Sequence, residues 1–232
     1  MKPEDLATGD WHTGKAAGAL DRYLGGTGVR GVALCSVVPD ATPAVRRWVA
    51  DRLSIPVLEL TSATVTGVGI DYPKPETIGP DRLANSVAVR HFYGAPAVVV
   101  DFGTVVTFDV VDRSGNYSGG IIAPGLAAMT EYLHEKTALL PRIKIREVRS
   151  VIGKTTEEAM LIGAVHGYRG LIQGILRELR HELKTRRMPV VATGGYAKLI
   201  SAKMPEITAV RPLLTLEGLR IVWEANNPGR DH

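Results

Sequence analysis

A short acidic turn near the middle of the chain carries residues that could bind phosphate. It lies in AVVVDFGTVVTFDVVD, residues 97–112, where one apolar run ends at Asp101 and a second begins after Thr104. Gly103 permits a tight turn, so the amides of residues 103 and 104 and the Thr104 hydroxyl could donate to a phosphate. Asp101 cannot bind phosphate directly, but it could hold a cation that does. An ordinary β-hairpin with an aspartate in its turn fits the same residues, and this stretch alone leaves both interpretations open.

The composition is that of an ordinary globular protein and disfavours several classes. With 232 residues, the chain has room for one large domain or two small ones. Its net charge of +4 suits a small polyanionic ligand such as a nucleotide, and no Lys/Arg stripe interleaved with aromatics indicates nucleic acid. A single cysteine, Cys35, excludes a disulfide framework within one chain. The sequence shows no apolar run of about 18 residues and no apolar segment near its start, so we expect a cytoplasmic protein with no membrane partner.

The first half of the chain alternates between predicted helices and strands. In order, we expect a helix over 15–24, a strand over 29–38, a helix over 42–53, a strand over 56–60 and a helix over 81–93. The loop between the last two, residues 61–80, is rich in Gly, Thr and Pro. A loop of this length inside a compact domain is usually functional or disordered.

The second half is predicted to follow a boundary at Gly94-Ala95-Pro96, which divides the chain into domains 1–94 and 95–232. It contains strands over 97–102, 105–111 and 117–122, a helix over 126–139, an edge strand over 142–148, a helix pair over 157–183, a strand over 189–193, a helix over 196–202, a strand over 207–210 and a helix over 216–223. A three-strand meander followed by α/β crossovers is the ribonuclease H-like topology of the actin, hexokinase and Hsp70 group.

Proteins of that group pair two such domains, hold ATP between them, and open each domain with an Asp-x-Gly hairpin. Only the second half of this chain has one. The predicted fold class is therefore α/β, a duplicated ribonuclease H-like kinase fold whose first domain is N-terminally truncated and begins at the equivalent of its third strand.

Six segments together resemble one family, type III pantothenate kinase. They are GVGIDYPKPETIGPDRLAN (67–85), VVVDFGTVVTFDVV (98–111), GGIIAPGL (119–126), VIGKTTEEAM (151–160), VVATGG (190–195) and LLTLEGLRIVWE (213–224). The resemblance implies ATP-dependent phosphorylation of pantothenate to 4'-phosphopantothenate, the first step of coenzyme A biosynthesis. It also implies a dimer with the active site near the subunit interface.

For the substrate side, the resemblance implies a general base and a pantothenate pocket. Asp81 corresponds to the base that takes the proton from the substrate hydroxyl, and a helix N-terminus beside a cation favours its ionised form. Arg82, with Gly79 and Tyr72, corresponds to the pocket, where a guanidinium suits a carboxylate. Read without the family, Asp81 and Arg82 would be a charge pair at the start of a helix.

A threonine in the segment GKTTEEAM is implied to reach pantothenate from the other subunit. By resemblance this is Thr156, although Thr155 or Thr156 followed by Glu158 also fits a helix N-cap with an acidic first turn. The string GKTT is similar to the end of a Walker A loop, but such a loop needs glycine at position 148, which is valine.

The ATP side is implied to use Mg²⁺ and a monovalent cation, K⁺ or NH₄⁺. Asp101 corresponds to the monovalent-cation ligand. The remaining positions line the phosphates or the adenosine, and they are Gly103, Thr104, Thr107, Gly194 and Gly195. The paired glycines alone also fit a common turn into a helix.

One family motif is not found. The family begins with a strand that carries Asp-x-Gly-Asn-Thr, and no such motif precedes residue 29. Since phosphoryl transfer depends on positioning around the γ-phosphate, we expect the first phosphate loop to come from a missing N-terminal segment or a partner subunit. The chain would then work as a homodimer or as a heterodimer with a homologue. Two alternatives remain: a non-catalytic binding or regulatory homologue, and a kinase of the same superfamily with another alcohol as substrate.

Overall fold

The structure is a computed structural model that describes residues 8–11, 15–24, 28–38, 40–185 and 187–228. Predictions that fall on residues 1–7, 12–14 and 25–27 of the first half lie outside these ranges. Among the helices described, none is long and apolar enough to cross a membrane.

The first half forms a small parallel unit. A 3₁₀ turn at Thr8–Trp11 precedes α1 (Lys15–Leu24), β1 (Val32–Leu34), α2 (Ala41–Arg52) and β2 (Val57–Glu59). β1 and β2 pair in parallel, with Val32 opposite Val57 and Leu34 opposite Glu59. Parallel strands need a crossover, and α2 provides it.

That parallel pairing corrects the expected position of the first strand. In the ribonuclease H-like topology, the third strand pairs with the antiparallel second strand, whereas the fourth and fifth strands are parallel neighbours joined by a helix. β1, α2 and β2 match the fourth strand, its crossover helix and the fifth strand. The prediction that the first half begins at its third strand was therefore wrong, because pairing direction cannot be read from a local apolar pattern.

The remaining elements build one six-stranded sheet. They are β3 (Gly69–Ile70), a 3₁₀ turn (Pro75–Thr77), α3 (Pro80–Tyr93), β4 (Ala97–Phe102), β5 (Val105–Val111), β6 (Asn116–Pro124), α4 (Leu126–Lys136), α5 (Thr156–Ile162), a π-helix (Gly163–Gly167), α6 (Tyr168–Glu182), β7 (Val190–Thr193), α7 (Ala197–Ser201), β8 (Ala209–Val210) and α8 (Leu214–Asn226). The strand order is β3-β6-β5-β4-β7-β8. β4–β5 and β5–β6 are antiparallel, while β4–β7 and β7–β8 are parallel, which is the topology predicted for the second half.

The core lies on both faces of this sheet. Along β4, Val98 and Val100 point into one apolar cluster with α6, and Ala97 and Val99 point into a second cluster with α3 and α8. These four side chains are completely buried, as a continuous apolar run in a central strand predicts. The end of β4 at Asp101 is therefore held rigidly between two packed layers.

The edge strand expected at 142–148 is not formed. Residues 138–150 have no helix or strand, because the alternating apolar side chains pack against α5 and the π-helix rather than beside another strand. Glu147 holds this segment to α6 through Arg169, whose Nη2 donates to the carboxylate at 2.6 Å. Arg169 is buried and also donates to the carbonyl oxygens of Leu199 and Ile200 on α7.

Replacement of Glu147 by glutamine is expected to destabilise the fold in a pH-dependent way. Hydrogen bonds from Arg169 lower the pKa of Glu147 from 4.5 to about 2, so the ionised carboxylate stabilises the native state. The benefit is complete above pH 4.5 and is lost as the pH falls towards 2. Since the Glu147 side chain is 35% exposed and screened, we expect a loss of about 1–2 kcal/mol at pH 7. Urea unfolding of wild type and Glu147→Gln at pH 7 and pH 3 measures the loss. The same difference in unfolding free energy between the two proteins at both pH values would contradict the expectation.

Candidate active site

The start of α3 presents Asp81 at a tightly packed turn. Pro80 occupies the first helical position and Gly79 precedes it, both favoured where a helix begins. An added Cβ at Gly79 would lie 2.5 Å from Asp81 Oδ1, so a larger residue there would displace the carboxylate. Burial raises the pKa of the Cys35 thiol, which follows β1, to about 12, and the charge of Asp81 adds to the effect.

Arg82, the next residue, turns towards the large sheet. Its Nε donates to Asp109 Oδ1 at 2.6 Å, and its Nη2 donates to the carbonyl oxygen of Phe108 at 3.3 Å. Asp109 is fully buried, and burial raises its pKa to about 6 against the opposing effects of Arg82 and Asn85. The Arg82 side chain remains 15% exposed, so the guanidinium is held by the sheet and still reachable from outside.

A buried amide connects two carboxylates next to this pair. Asn85, one turn after Asp81, donates through Nδ2 to Asp101 Oδ2 at 3.4 Å and to Asp109 Oδ2 at 3.2 Å. Its Oδ1 accepts a hydrogen bond of 2.8 Å from the Thr215 hydroxyl at the start of α8. Helices from both halves therefore meet the sheet at this one side chain.

Aromatic rings form the wall beside Arg82. The Arg82 Cζ lies 5.6 Å from the centre of the Tyr117 ring, and the Tyr72 ring packs edge-on against Tyr117 at 5.9 Å. Gly119 and Gly120 of β6 leave space here, because a Cβ at 120 would lie 2.4 Å from Arg82 Nη2. Tyr72, Gly79, Asp81 and Arg82 thus lie around the start of α3 and the Tyr117 ring, and their assignment to one substrate pocket stays a prediction.

The second group of predicted residues meets at the ends of β4 and β7. Asp101 pairs in register with Thr107 across the hairpin and with Thr193 in β7. Gly194 has φ of +88°, and a Cβ there would lie 2.5 Å from Asp101 Oδ1 and 2.7 Å from the Phe102 nitrogen. A glycine is therefore required for this approach, whereas Gly195 is exposed with open space around it.

The hairpin turn is only partly available to a ligand. The Gly103 amide donates to the carbonyl oxygen of Val105 at 3.1 Å, so it is used inside the turn rather than free for phosphate. Thr104 is exposed beside it, and neither its amide nor its hydroxyl has a hydrogen bond to the described residues. Of the two residues, Thr104 therefore has the donors that a ligand could still reach.

Asp101 has the properties of a ligand for a hard cation. Asn85 occupies its Oδ2, and no described residue donates to Oδ1. Burial raises the pKa of Asp101, Asn85 opposes this, and the negative Asp81 adds to it, so a bound cation would stabilise the ionised form. Within the described ranges, no group of three or more His, Cys, Asp or Glu side chains could hold a metal on its own.

Thr156 lies apart from both groups. It is the exposed first residue of α5, and Thr155 accepts a hydrogen bond of 3.2 Å from the Glu158 amide as the N-cap. Among the described residues, the Thr156 side chain makes no hydrogen bond with the group around Arg82 or the group around Asp101.

Three residues that connect Arg82 to Asp101 were not predicted from the sequence: Asn85, Asp109 and Thr215. Asp109 had a usable signal, since a carboxylate inside the apolar run VVTFDVV must find a buried partner. Asn85 follows Asp81 by four residues and so lies on the same helix face. Thr215 had no local signal, because only the packing of α8 on α3 brings it there.

The strand order and pairing directions of the six-stranded sheet are those of the ribonuclease H-like class of α/β proteins. A crystal structure of a Baf family protein from Campylobacter jejuni shares this fold, with a TM-score of 0.60 at 19% identity over 89% of this chain and 88% of that chain.

A family model described as type III pantothenate kinase matches residues 5–178. Type III pantothenate kinases from Methylacidiphilum infernorum, Akkermansia muciniphila and Moorella thermoacetica are 46%, 50% and 41% identical to the chain. The alignments cover 82%, 89% and 85% of this chain and 69%, 84% and 78% of those proteins, respectively. The chain belongs to the type III pantothenate kinase family, which confirms the resemblance found in the six segments.

Proposed function

We propose that this chain is the catalytic subunit of a pantothenate kinase, which transfers the γ-phosphoryl group of ATP to the hydroxyl of pantothenate and forms 4'-phosphopantothenate. This is the first step of coenzyme A biosynthesis. The observation that carries the proposal is the adjacent placement of Asp81 and a sheet-anchored Arg82 at the start of α3. A carboxylate base and a carboxylate receptor next to each other suit a substrate with a hydroxyl at one end and a carboxylate at the other.

Asp81 takes the proton from the attacking hydroxyl, and Arg82 binds the substrate carboxylate. Tyr72 and Gly79 complete the pantothenate pocket, because the ring packs beside Tyr117 and the glycine leaves room at the Asp81 turn. No covalent intermediate is needed, since positioning and charge stabilisation account for phosphoryl transfer.

ATP binds at the ends of β4 and β7. Asp101 would hold the K⁺ or NH₄⁺ ion through Oδ1, which accepts no hydrogen bond from the described residues, and the cation would supply charge compensation for the phosphates. Mg²⁺ would accompany ATP and would supply neutralising charge for its phosphates. The other residues assigned to the nucleotide are Gly103, Thr104, Thr107, Gly194 and Gly195.

The two halves are proposed to be domains 1–94 and 95–232 of a duplicated ribonuclease H-like kinase. β1–α2–β2 of the first half repeats β7–α7–β8 of the second, and α3 packs on α8 as the closing helix of each. In the second half, β7 pairs with the hairpin strand β4. By the same arrangement, the first phosphate loop would pair with β1, either from a preceding N-terminal segment or from a partner subunit.

The active protein is proposed to be a dimer, with Thr156 reaching the pantothenate of the other subunit. An apolar groove of about 830 Å³ lies between α4 and α5, next to the exposed Tyr132 and Leu133. Apolar surface of this kind on a folded protein is typical of an interface. A second copy or a homologous subunit would cover it.

Tyr132→Glu is expected to convert the dimer to a monomer, because Tyr132 is 62% exposed at the rim of the groove and a charge there would be buried without a partner. Sedimentation velocity measures the change. Leu216→Glu is the matched control, since Leu216 is an exposed apolar residue on α8, away from the groove. Equal dimerisation of wild type and Tyr132→Glu would reject this surface.

A coupled ADP-release assay tests the proposed activity. The chain is assayed with pantothenate and with other primary alcohols in the presence of Mg²⁺ and K⁺, alone and together with a segment or homologous subunit that carries Asp-x-Gly-Asn-Thr. Pantothenate-dependent ADP release supports the proposal. Pantothenate binding by calorimetry without turnover would support a regulatory homologue, and a clear preference for another alcohol would support a different kinase.

A further inference from the structure

Asp109 is a fully buried carboxylate on β5 to which neither the sequence nor the proposed reaction assigns a role. Its Oδ1 accepts from Arg82 Nε at 2.6 Å and its Oδ2 accepts from Asn85 Nδ2 at 3.2 Å. We propose that Asp109 is a positioning residue that fixes the Arg82 guanidinium for the carboxylate of the substrate and thereby sets specificity for an acid. This inference rests on the proposed function of Arg82.

The hydrogen bonds of Arg82 leave one edge of the guanidinium open. Nε donates to Asp109, and one proton of Nη2 donates to the Phe108 carbonyl oxygen at 3.3 Å. Nη1 has no hydrogen bond to the described residues. The Nη1–Nη2 edge is therefore available, and this edge can hold a carboxylate in a bidentate contact.

Glycine at position 120 allows this orientation. A Cβ there would lie 2.4 Å from Arg82 Nη2 and 1.8 Å from the Phe108 carbonyl oxygen, so any other residue would push the guanidinium off the sheet. The face of Arg82 also lies over the Tyr117 ring. Backbone, ring and carboxylate together restrict the group to one orientation.

Stability does not explain a buried ion pair of this kind. The desolvation cost of two charges roughly cancels their attraction, and an apolar pair of similar volume is often equally stable. An arginine that must hold a ligand carboxylate without swinging out to solvent does benefit from a fixed partner. The arrangement is thus better explained by ligand orientation than by folding.

Asn85 extends the same network to the ATP side. Its amide donates to both Asp101 and Asp109, and the Thr215 hydroxyl donates to its oxygen, so all three contacts fix the amide in one orientation. A shift of Asp109 would therefore move the anchors of both substrates. We expect the larger effect on the acid-binding side, where the contact to Arg82 is shorter.

Asp109→Asn provides the main test. Asn keeps the shape but removes the charge. Because it has an oxygen at only one of the two positions, it cannot accept the hydrogen bonds of both Arg82 and Asn85. We expect KM for pantothenate to rise about tenfold or more, with kcat within about threefold of wild type. For the alcohol analogue of pantothenate, which has a hydroxymethyl group in place of the carboxylate, KM is expected to stay unchanged.

Val111→Ala is the control for a purely structural loss. Val111 is buried on the same strand and has no contact with Arg82 among the hydrogen bonds and ion pairs described. It should lower the melting temperature without changing the ratio of the two KM values. An Asp109→Asn enzyme that loses activity equally with acid and alcohol, or that keeps the wild-type ratio, would overturn the inference.

A double-mutant comparison keeps the inference testable if Asp109→Asn does not fold. Arg82→Met/Asp109→Leu replaces the buried pair by apolar residues, which cores tolerate. If Asp109 acts on the acid only through Arg82, the double variant has the KM for pantothenate of Arg82→Met alone, whatever the lost contact to Asn85 does on the ATP side. A double variant whose KM for pantothenate is clearly higher than that of Arg82→Met would show a separate role for Asp109 in acid binding and overturn the inference.

Calorimetry separates failure of this inference from failure of the proposed function. Wild type should bind pantothenate more tightly than its alcohol analogue whether or not turnover is observed. If wild type binds neither compound, the pantothenate site itself is wrong and both proposals fall. If wild type distinguishes them and Asp109→Asn distinguishes them equally well, only the positioning role of Asp109 is overturned.

Discussion

Asp81→Asn is expected to lower kcat for pantothenate phosphorylation by about 10²- to 10⁴-fold, the range for loss of a general base. Asparagine has almost the same shape and can still accept the hydrogen bond that the Arg82 amide donates to Asp81 Oδ1 at 3.0 Å. The start of α3 should therefore remain intact, and KM for both substrates should change little. Steady-state kinetics with the coupled ADP-release assay measure the effect.

Glu76→Gln is the matched control for Asp81→Asn. Glu76 is an exposed carboxylate in the 3₁₀ turn just before α3, and it belongs to neither group of site residues. Its neutralisation should leave kcat within about twofold of wild type. Full activity in Asp81→Asn would remove this carboxylate from the mechanism, and equal loss in Glu76→Gln would indicate a general effect of charge.

Gly218→Ala is expected to cause the largest loss of stability, about 2–3 kcal/mol, although alanine is the better helix former. α3 and α8 pack so closely that a Cβ at 218 would lie 1.9 Å from the carbonyl oxygen of Ala84. The helices would have to separate, and Asn85 and Thr215 would move apart with them. Urea unfolding measures the stability, and weaker ATP and pantothenate binding is expected as well.

Gly174→Ala shows what the same substitution does without a close neighbour. Gly174 lies inside α6, and apart from its chain neighbours and the nearby helix backbone, no atom lies within 4 Å of the position that its Cβ would take. Here the substitution should stabilise the protein by about 0.5–1 kcal/mol. If both variants were stabilised, the close approach of α3 and α8 would be incorrect.

The sequence predicted the second half well because its local signals agree with its packing. The apolar runs around Asp101 and before Gly194 are long, β-branched and bounded by glycine, so their strands follow from the pattern. The start of α3 was equally clear, since Gly79 and Pro80 mark a helix N-terminus. The place of Asp81 and Arg82 in the first turn of α3 follows directly from that start.

Features that depend on distant contacts could not be predicted. β3 is only Gly69–Ile70, and it is a strand because β6 offers its edge, not because of its own residues. Residues 142–148 alternate like a strand but have no partner in a sheet. The contacts of Arg82 with Asp109 and of Asn85 with Thr215 span 27 and 130 residues, respectively, so no spacing rule connects them.

The identity of the reaction product tests the central claim most directly. The chain, together with a segment or homologous subunit that carries Asp-x-Gly-Asn-Thr, is incubated with pantothenate, Mg²⁺, K⁺ and ATP labelled at the γ-phosphate, and the product is analysed by mass spectrometry and ³¹P NMR. We predict one labelled phosphate ester on the hydroxyl of pantothenate, formed by wild type and nearly absent with Asp81→Asn. Label released only as inorganic phosphate, or an ester formed equally well by Asp81→Asn, would contradict the account.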